Sequence, residues 1–239
     1  KINGNRSKRI NMSKRYKQLP ENTKNLEPEV INKLLPLVKK NCTTKFDESI
    51  DLSFQINNKQ KKNELSLRTV VNLPGGTGKK IKVAVVCEES KLQISKDAGA
   101  DIVGGDEFIE KIKQGEMNFD KLICTPSMMV KLSKLGKVLG PKGLMPNPKL
   151  GTVNENVEKA IKDAKSGQVE IRNDKDGNIG LTIGKKSFSD ENLIKNYNAV
   201  IETLEKEKSN NTVKGNLIRS SFITSSMGVS YKLKLNKSI

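Results

Sequence analysis

The 239-residue chain is long enough for two modest domains or one large one. Its 44 lysines and arginines exceed its 27 acidic residues by 17, which favours a polyanionic partner. Nucleic acid is the preferred interpretation, and general solubility or an anionic membrane surface are the alternatives. The absence of histidine excludes histidine-based hydrolase triads, histidine general bases and most zinc sites.

The chain begins with a basic arm. Residues 1–17 contain seven lysines and arginines and no acid. We interpret this arm as an RNA-binding segment, with the remnant of a processed presequence as the alternative. No apolar run anywhere in the sequence approaches the roughly 18 residues of a membrane span, so we expect no membrane partner.

The first regular elements are a helix at 28–40 and a strand at 48–56. The helix is predicted by apolar side chains at helical spacing, and the strand by strict alternation. One face of the strand is apolar (Ile50, Leu52, Phe54 and Ile56), and the other is polar (Ser49, Asp51, Ser53 and Gln55). The pattern predicts a half-buried strand that displays its polar face.

From residue 81 onward, strands and helices alternate with short connections. The predicted strands are 81–87, 100–103 and 119–124, and the predicted helices are 88–98, 106–113 and 127–136. This order indicates a parallel sheet covered on both faces. Three widely spaced cysteines without a CxxC pair indicate a reducing compartment.

The segment 140–153 (GPKGLMPNPKLGTV) is a rigid basic loop. Its prolines exclude both a helix and an inner strand, and its glycines allow tight turns. Lys142 and Lys149 are predicted to point outward, so we expect the loop to meet a partner as well as connect two elements.

The rest of the chain returns to a mixed pattern. We predict a helix at 154–167 with Asn154 as its N-cap and Gly167 as its end. A hairpin at 168–184 with DKDG as its turn, a helix at 189–208 and a strand-rich tail at 217–235 follow.

These elements give an α/β chain of two domains. Residues 1–75 and 168–239 form domain I, a discontinuous α+β domain with an antiparallel sheet. Residues 76–167 form domain II, an inserted three-layer Rossmann-like parallel α/β domain. The predicted hinges are 74–76 and the region of Gly167.

The segment GGTGK at 75–79 invites interpretation as a phosphate-binding loop, which would make domain II a nucleotide enzyme. The motif fails because Leu73 stands where glycine is needed and Lys80 stands where serine or threonine is needed. We therefore expect a hinge or turn here and no enzyme.

Two segments are better candidates for a binding surface. TTKFDESID (43–51) lies at the entrance of the alternating strand, and SFITSSMGVS (221–230) contains Ser226, Met227 and Gly228 where alternation breaks. Small hydroxyls and a glycine permit close approach to a sugar-phosphate surface, although an ordinary strand end would look the same.

Taken together, the segments resemble the bacterial-type ribosomal protein L-one family, the protein of the mobile stalk of the large subunit. Besides 140–153, the similar segments in order are KFDES, LPGGTGK, AGAD, GEMNFD, SGQVEIRNDK and SSMG. The resemblance implies a two-domain protein that binds a helical junction of large-subunit rRNA and assists movement and release of exit-site tRNA. It also implies an alternative role as a translational repressor of its own mRNA.

The resemblance also implies which residues contact RNA. They are Lys45, Phe46, Ser49, Asp51, Asp174, Ser226, Met227 and Gly228. With few aromatic residues, recognition should depend on phosphates, 2′-hydroxyls and shape, and Asp51 and Asp174 should accept hydrogen bonds from hydroxyl or amino groups. As secondary basic contacts we add Lys14, Arg15, Arg172, Lys175, Lys142 and Lys149.

No metal or cofactor is expected, and few other ribosomal proteins are expected as partners. The sequence departs from the family pattern at Ser225 and Ser226, which replace a threonine pair, and at Gly180, which replaces a histidine. The tail KLKLNKSI is also unlike the family. The location left open is a ribosome in the bacterial cytoplasm or in the mitochondrial matrix.

Overall fold

A computed structural model describes residues 15, 19, 27–57, 67–210 and 216–235. In chain order its regular elements are α1 (Ile31–Lys40), β1 (Ser49–Ile56), β2 (Arg68–Asn72), β3 (Val83–Val86), α2 (Glu89–Asp97), β4 (Ile102–Gly104), α3 (Asp106–Gln114), β5 (Lys121–Cys124), α4 (Pro126–Ser133), α5 (Gly136–Leu139), a 3-10 turn (Pro148–Leu150), α6 (Val157–Lys165), β6 (Gln168–Arg172), β7 (Asn178–Lys185), α7 (Asp190–Asn210), β8 (Ile218–Ser225) and β9 (Tyr231–Lys232).

One core is built on an antiparallel sheet of four strands in the order β7-β1-β8-β9. The alternation predicted for β1 is confirmed, because Ile50, Leu52 and Phe54 are buried while Ser53 is exposed. These apolar side chains join one cluster with residues of α1 and α7, which cover the same face of the sheet. The opposite face carries the polar side chains of the strands.

A two-stranded ribbon of β2 and β6 packs beside this sheet, and the predicted hairpin at 168–184 is wrong in its pairing. The turn itself forms, since Asn178 N–H donates to Asp174 Oδ1 at 2.6 Å and Gly177 has φ +79°. However, β6 pairs with β2 and β7 pairs with β1, and only an isolated bridge joins Asn173 to Ile179. Turn residues fix a local reversal, whereas strand pairing follows burial of the apolar face in the shared core.

The second core surrounds a parallel sheet in the order β4-β3-β5, as the alternating elements predict. All four residues of β3 are fully buried because the sheet is covered on both faces. One covering cluster includes residues of α3, α4 and α5, and the other includes residues of α2 and α6. The predicted helix at 127–136 is two helices, which separate at residues 134–135.

The loop 140–153 is an ordered part of the parallel domain. Asn147 N–H donates to Thr152 Oγ1 at 2.8 Å, and the same hydroxyl donates back to the Asn147 carbonyl at 3.1 Å. Val153 forms a parallel bridge with Cys124, so the end of the loop extends the sheet beyond β5. The stiffness noted in the sequence therefore serves the geometry of this domain.

The N-cap of α6 is Asn156 and not Asn154. Asn156 accepts a hydrogen bond from Lys159 N–H at 3.1 Å, and the helix begins at Val157. Asn154 accepts from Asn156 N–H at 3.0 Å, which makes a turn before the helix. Gly167, with φ +96°, ends the segment as predicted.

The two chain crossings between the sheets lie against one another. Leu73 N–H donates to the Gly167 carbonyl at 3.2 Å, and a Cβ on Gly167 would lie 2.9 Å from Gly76 Cα. Lys121 Nζ, from the parallel domain, also donates to the Gln168 carbonyl at 2.7 Å. Among the described residues, no helix combines the length and apolarity needed to cross a membrane.

Candidate nucleic-acid interface

Two loops meet at one end of the antiparallel sheet, where β1 begins and β8 ends. Ser226 N–H donates to the Ser49 carbonyl at 3.0 Å, and Ser49 N–H donates to Ser226 Oγ at 3.0 Å. We call residues 43–49 and 225–228 together the two-loop surface. The structure thus brings KFDES and SSMG together, although they are separated by about 180 positions in the chain.

Long side chains of the two-loop surface project into solvent. Lys45 is exposed, Phe46 is 55% exposed and Met227 is 49% exposed. Single exposed apolar residues are common on protein surfaces. Here one lies on each of the two joined loops, and a cation accompanies them. The combination can contact both the phosphates and the apolar faces of riboses or bases.

Beneath these exposed side chains lies the buried carboxylate of Glu48, which is 0% exposed. Glu48 Oε1 accepts from Thr44 Oγ1 at 2.8 Å and from Thr44 N–H at 3.3 Å. Glu48 Oε2 accepts from Met227 N–H at 3.1 Å. The side chain of Glu48 therefore forms hydrogen bonds with both loops.

The protonation of Glu48 reflects this arrangement. Burial by itself would raise the pKa of the carboxyl group. The nearby Ser225 hydroxyl and the hydrogen bonds from Thr44 and Met227 together outweigh burial, so the pKa lies below its ordinary value. The group is therefore an anion at neutral pH and acts only as an acceptor.

Gly228 completes the two-loop surface, and a larger residue there would force the side chain of Ser225 to move. A Cβ at this position would lie 2.3 Å from Ser225 Oγ, closer than real side chains approach. Gly228 N–H also donates to the Ser225 carbonyl at 3.2 Å, which tightens the turn. The glycine thus allows the Ser225 hydroxyl to keep its position within the loop.

The two-loop surface continues into the face of the four-stranded sheet that none of the described helices covers. Along this face the strand register places mostly short polar side chains side by side. The rows are Thr182, Asp51 and Thr224, then Gly180, Ser53, Phe222 and Lys232, then Asn178, Gln55 and Ser220. None of these residues is fully buried. A sheet face of this kind can approach a nucleic acid backbone closely and offers donors and acceptors to 2′-hydroxyls.

Asp51 lies in the row nearest to the two loops. Thr182 Oγ1 donates to Asp51 Oδ1 at 2.6 Å, so the carboxylate is oriented by its neighbour strand. Its remaining lone pairs can still accept hydrogen bonds from a ligand.

Asp174 lies far from the two-loop surface. It precedes Asn178, whereas Ser49 is opposite Lys185 at the other end of β7. Seven residues of strand separate these ends, which is about 23 Å. Asp174 accepts hydrogen bonds from Asn178 N–H and from Asn178 Nδ2. These bonds hold the pKa of Asp174 below its ordinary value, and the bond from the backbone N–H has the larger effect.

The secondary basic residues are dispersed. Arg172 and Lys175 are exposed near Asp174, while Lys142 and Lys149 are exposed on the parallel domain. Lys14 lies outside the described residues. The structure thus does not gather the secondary basic residues into one patch.

Arg15 is engaged within the protein. Arg15 Nη2 donates to the Met227 carbonyl at 2.7 Å, and Nη1 donates to Thr43 Oγ1 at 3.0 Å. It therefore acts on the two-loop surface directly, whereas the sequence predicted a secondary basic contact to RNA.

Sequence reasoning missed Glu48 and the partners of Asp51. The signal for Glu48 was present, because it is in phase with the buried positions 50, 52, 54 and 56 of the alternating strand. The proximity of Thr182 to Asp51 had no local signal, since it depends on the pairing of β7 with β1. Within the described part of the chain, no cluster of three or more potential metal ligands is present.

The chain is similar to known proteins over most of its length. Residues 38–229 match the Ribosomal protein L1p/L10e family. The chain is 74% identical over 227 residues to "Large ribosomal subunit protein uL1" of Pelagibacter ubique, which covers 95% of this chain and 99% of the relative.

More distant relatives are also ribosomal. The chain is 47% identical over 203 residues to "Large ribosomal subunit protein uL1" of Prochlorococcus marinus, with 85% of this chain and 86% of the relative covered. It is 44% identical over 227 residues to "Large ribosomal subunit protein uL1c" of Arabidopsis thaliana, with 95% and 65% covered.

Proposed function

The chain belongs to the Ribosomal protein L1p/L10e family, and from this premise we propose that it binds a helical junction of large-subunit rRNA through the two-loop surface and the adjoining sheet face. Its role in the large subunit is structural, and it is not an enzyme. The observation that carries the proposal is the joining of Lys45, Phe46 and Met227 on two hydrogen-bonded loops.

The chemistry of the surface supports RNA as the ligand. The net charge of +17 supplies attraction to phosphate that does not depend on sequence. Aspartate and hydroxyl acceptors on the sheet face suit ribose 2′-hydroxyls, which distinguish RNA from DNA. Asp174 belongs to the proposed contacts at the far end of the sheet, where Arg172 and Lys175 provide nearby cations.

We assign the two domains different roles. Domain I, residues 1–75 and 168–239, holds the RNA. Domain II, residues 76–167, moves on the crossings at 74–76 and Gly167 and assists the movement and release of exit-site tRNA. Lys142 and Lys149, exposed on domain II, are available for that contact.

The relatives favour a bacterial over a mitochondrial ribosome. Identity is 74% to a bacterial protein, and the bacterial cytoplasm is accordingly the location we assign. No feature of the described residues favours the alternative role of a repressor acting on its own mRNA.

A filter-binding titration tests the RNA site. The probe is a helical-junction fragment of bacterial large-subunit rRNA, and a perfect RNA duplex of equal length is the competitor. We expect Met227→Asp to weaken binding to the junction by about 1–3 kcal/mol, the cost of losing a good nucleic-acid contact.

Lys113→Gln, at an exposed position of α3 on domain II, is the matched control for the change in charge, and it should leave junction affinity nearly unchanged. Equal affinity of the wild-type protein for the junction and the duplex would contradict the proposal, as would unchanged binding by Met227→Asp.

A further inference from the structure

Glu48 is the one charged side chain that is fully buried within the described ranges. Burial of an anion is costly unless its oxygens are saturated with hydrogen bonds. No described lysine, arginine or terminal amine forms an ion pair with it. Its partners are instead Thr44 in one loop and Met227 N–H in the other. An apolar residue of similar volume would fill the same space but could not hold these donors.

The Met227 peptide is held from both sides. Its N–H donates to Glu48 Oε2 at 3.1 Å, and its preceding neighbour Ser226 is bonded to Ser49. Its carbonyl accepts from Arg15 Nη2 at 2.7 Å. Arg15 also reaches Thr43, beside the Thr44 that Glu48 holds. Glu48 and Arg15 thus each connect residues 43–44 with residue 227 through hydrogen bonds.

These connections leave the side chains above them free. Phe46 and Met227 remain about half exposed although the backbone on either side of them is fixed. Fixed backbone with free side chains is the arrangement that lowers the entropy lost when a ligand orders a binding loop. The lost entropy would otherwise reduce affinity.

We propose that Glu48 is a positioning residue for RNA binding, which together with Arg15 presets the two-loop surface before RNA arrives. This inference rests on the proposed function of that surface. It assigns to Glu48 no contact with RNA, since the carboxylate is covered by the loops that it joins.

The test is a double-mutant cycle on the full chain with Glu48→Gln and Met227→Ala. Glu48→Gln preserves shape and one acceptor but replaces the other with an amide group that cannot accept. Glu170→Gln is the matched control, because it makes the same chemical change in the exposed Arg68–Glu170 pair of the β2–β6 ribbon. Affinity for the junction fragment is measured by filter binding under conditions where urea titration shows every variant to be folded.

We expect Glu48→Gln to weaken binding about 10-fold, the equivalent of ordering one or two side chains, and Glu170→Gln to have no effect. Once Met227 is truncated, Glu48→Gln should weaken binding less than it does in the wild-type background. Hydrogen exchange of the Met227 amide in the free protein should accelerate in Glu48→Gln, whereas exchange in β3 should not.

Arg15→Gln tests the same brace without disturbing a buried site, and it retains the test if Glu48→Gln does not fold. A positioning role predicts lower affinity with an unchanged slope of log affinity against log salt. A phosphate contact predicts a shallower slope.

Three results would overturn the inference. They are wild-type affinity in Glu48→Gln, full additivity with Met227→Ala, and a shallower salt slope in Arg15→Gln. Failure of the proposed function looks different, since wild-type protein would then fail to prefer the junction and Met227→Ala would leave binding unchanged.

Discussion

Replacing Asn196 with leucine is predicted to destabilise the proposed domain I by releasing the chain crossing at residues 75–76. Asn196 lies on α7 and is 0% exposed. Its Oδ1 accepts from Gly75 N–H at 2.7 Å, and its Nδ2 donates to the carbonyls of Gly76 at 3.0 Å and Ile183 at 2.7 Å. One amide thus ties the long helix to the crossing and to β7.

The magnitude follows from the groups left without partners. Leucine has nearly the same shape as asparagine, so the cost of a cavity is small. The buried carbonyl of Ile183 loses its side-chain partner at a cost of about 1–3 kcal/mol, and the two partly exposed glycine groups add about 0.5–1.5 kcal/mol each. The expected loss in free energy of unfolding is therefore about 2–6 kcal/mol.

The assay is urea unfolding followed by tyrosine fluorescence. The three tyrosines of the chain are Tyr16, Tyr197 and Tyr231, and no tryptophan is present, so the signal comes only from the proposed domain I. Asn198→Leu, at an exposed position of the same helix, is the control. A loss below about 0.5 kcal/mol relative to that control, smaller than one typical net hydrogen bond, would refute the reasoning.

Three further predictions concern other parts of the molecule. Gly167→Ala should lower the melting temperature more than Gly99→Ala. Both glycines have left-handed φ, but only at Gly167 would a Cβ meet Gly76 within 3.0 Å. Equal shifts in melting temperature would show that this contact is unimportant. Since the pKa of Glu48 is held below its ordinary 4.5, the ionised carboxylate stabilises the fold fully above pH 4.5, and this contribution is lost as the pH falls below that value. Glu48→Gln should therefore flatten the acid limb of a curve of stability against pH. Identical acid limbs for the variant and the wild-type protein would contradict this. Burial raises the pKa of Cys124 to about 12, and a thiol reagent at pH 8 should modify this residue only when urea is added; rapid modification of Cys124 in the native protein would contradict its burial.

Much of the fold followed from local pattern. The alternation at 48–56 predicted which face of β1 is buried, because side chains of a strand point to opposite faces in turn. The continuous apolar run at 83–86 predicted an inner parallel strand, because a strand covered on both faces needs apolar side chains on both.

Pairing between distant segments could not be read in this way. The sequence around DKDG predicts a reversal, and the reversal exists, but the partners of β6 and β7 are chosen by burial in a core formed from the whole domain. The cap of α6 was misassigned for a smaller reason. Asn154 and Asn156 both suit an N-cap, and the side-chain bond at Asn154 closes the preceding turn instead.

The candidate site shows the same division. Lys45, Phe46 and Met227 were predicted to belong to the site, and the structure finds them exposed on adjoining loops. Glu48, buried beneath them, was not among the predicted site residues. Its place in the alternating pattern outweighed its polarity, and hydrogen bonds offset the cost of burial.

Amide hydrogen exchange of the full chain with and without the rRNA junction fragment tests the central claim most directly. RNA bound as proposed predicts slower exchange in residues 44–51 and 225–228 and in β7, with little change in β3, β4 and β5. Protection confined to residues 76–167, or no protection in either loop at saturating RNA, would contradict the assignment of the two-loop surface as the main RNA site.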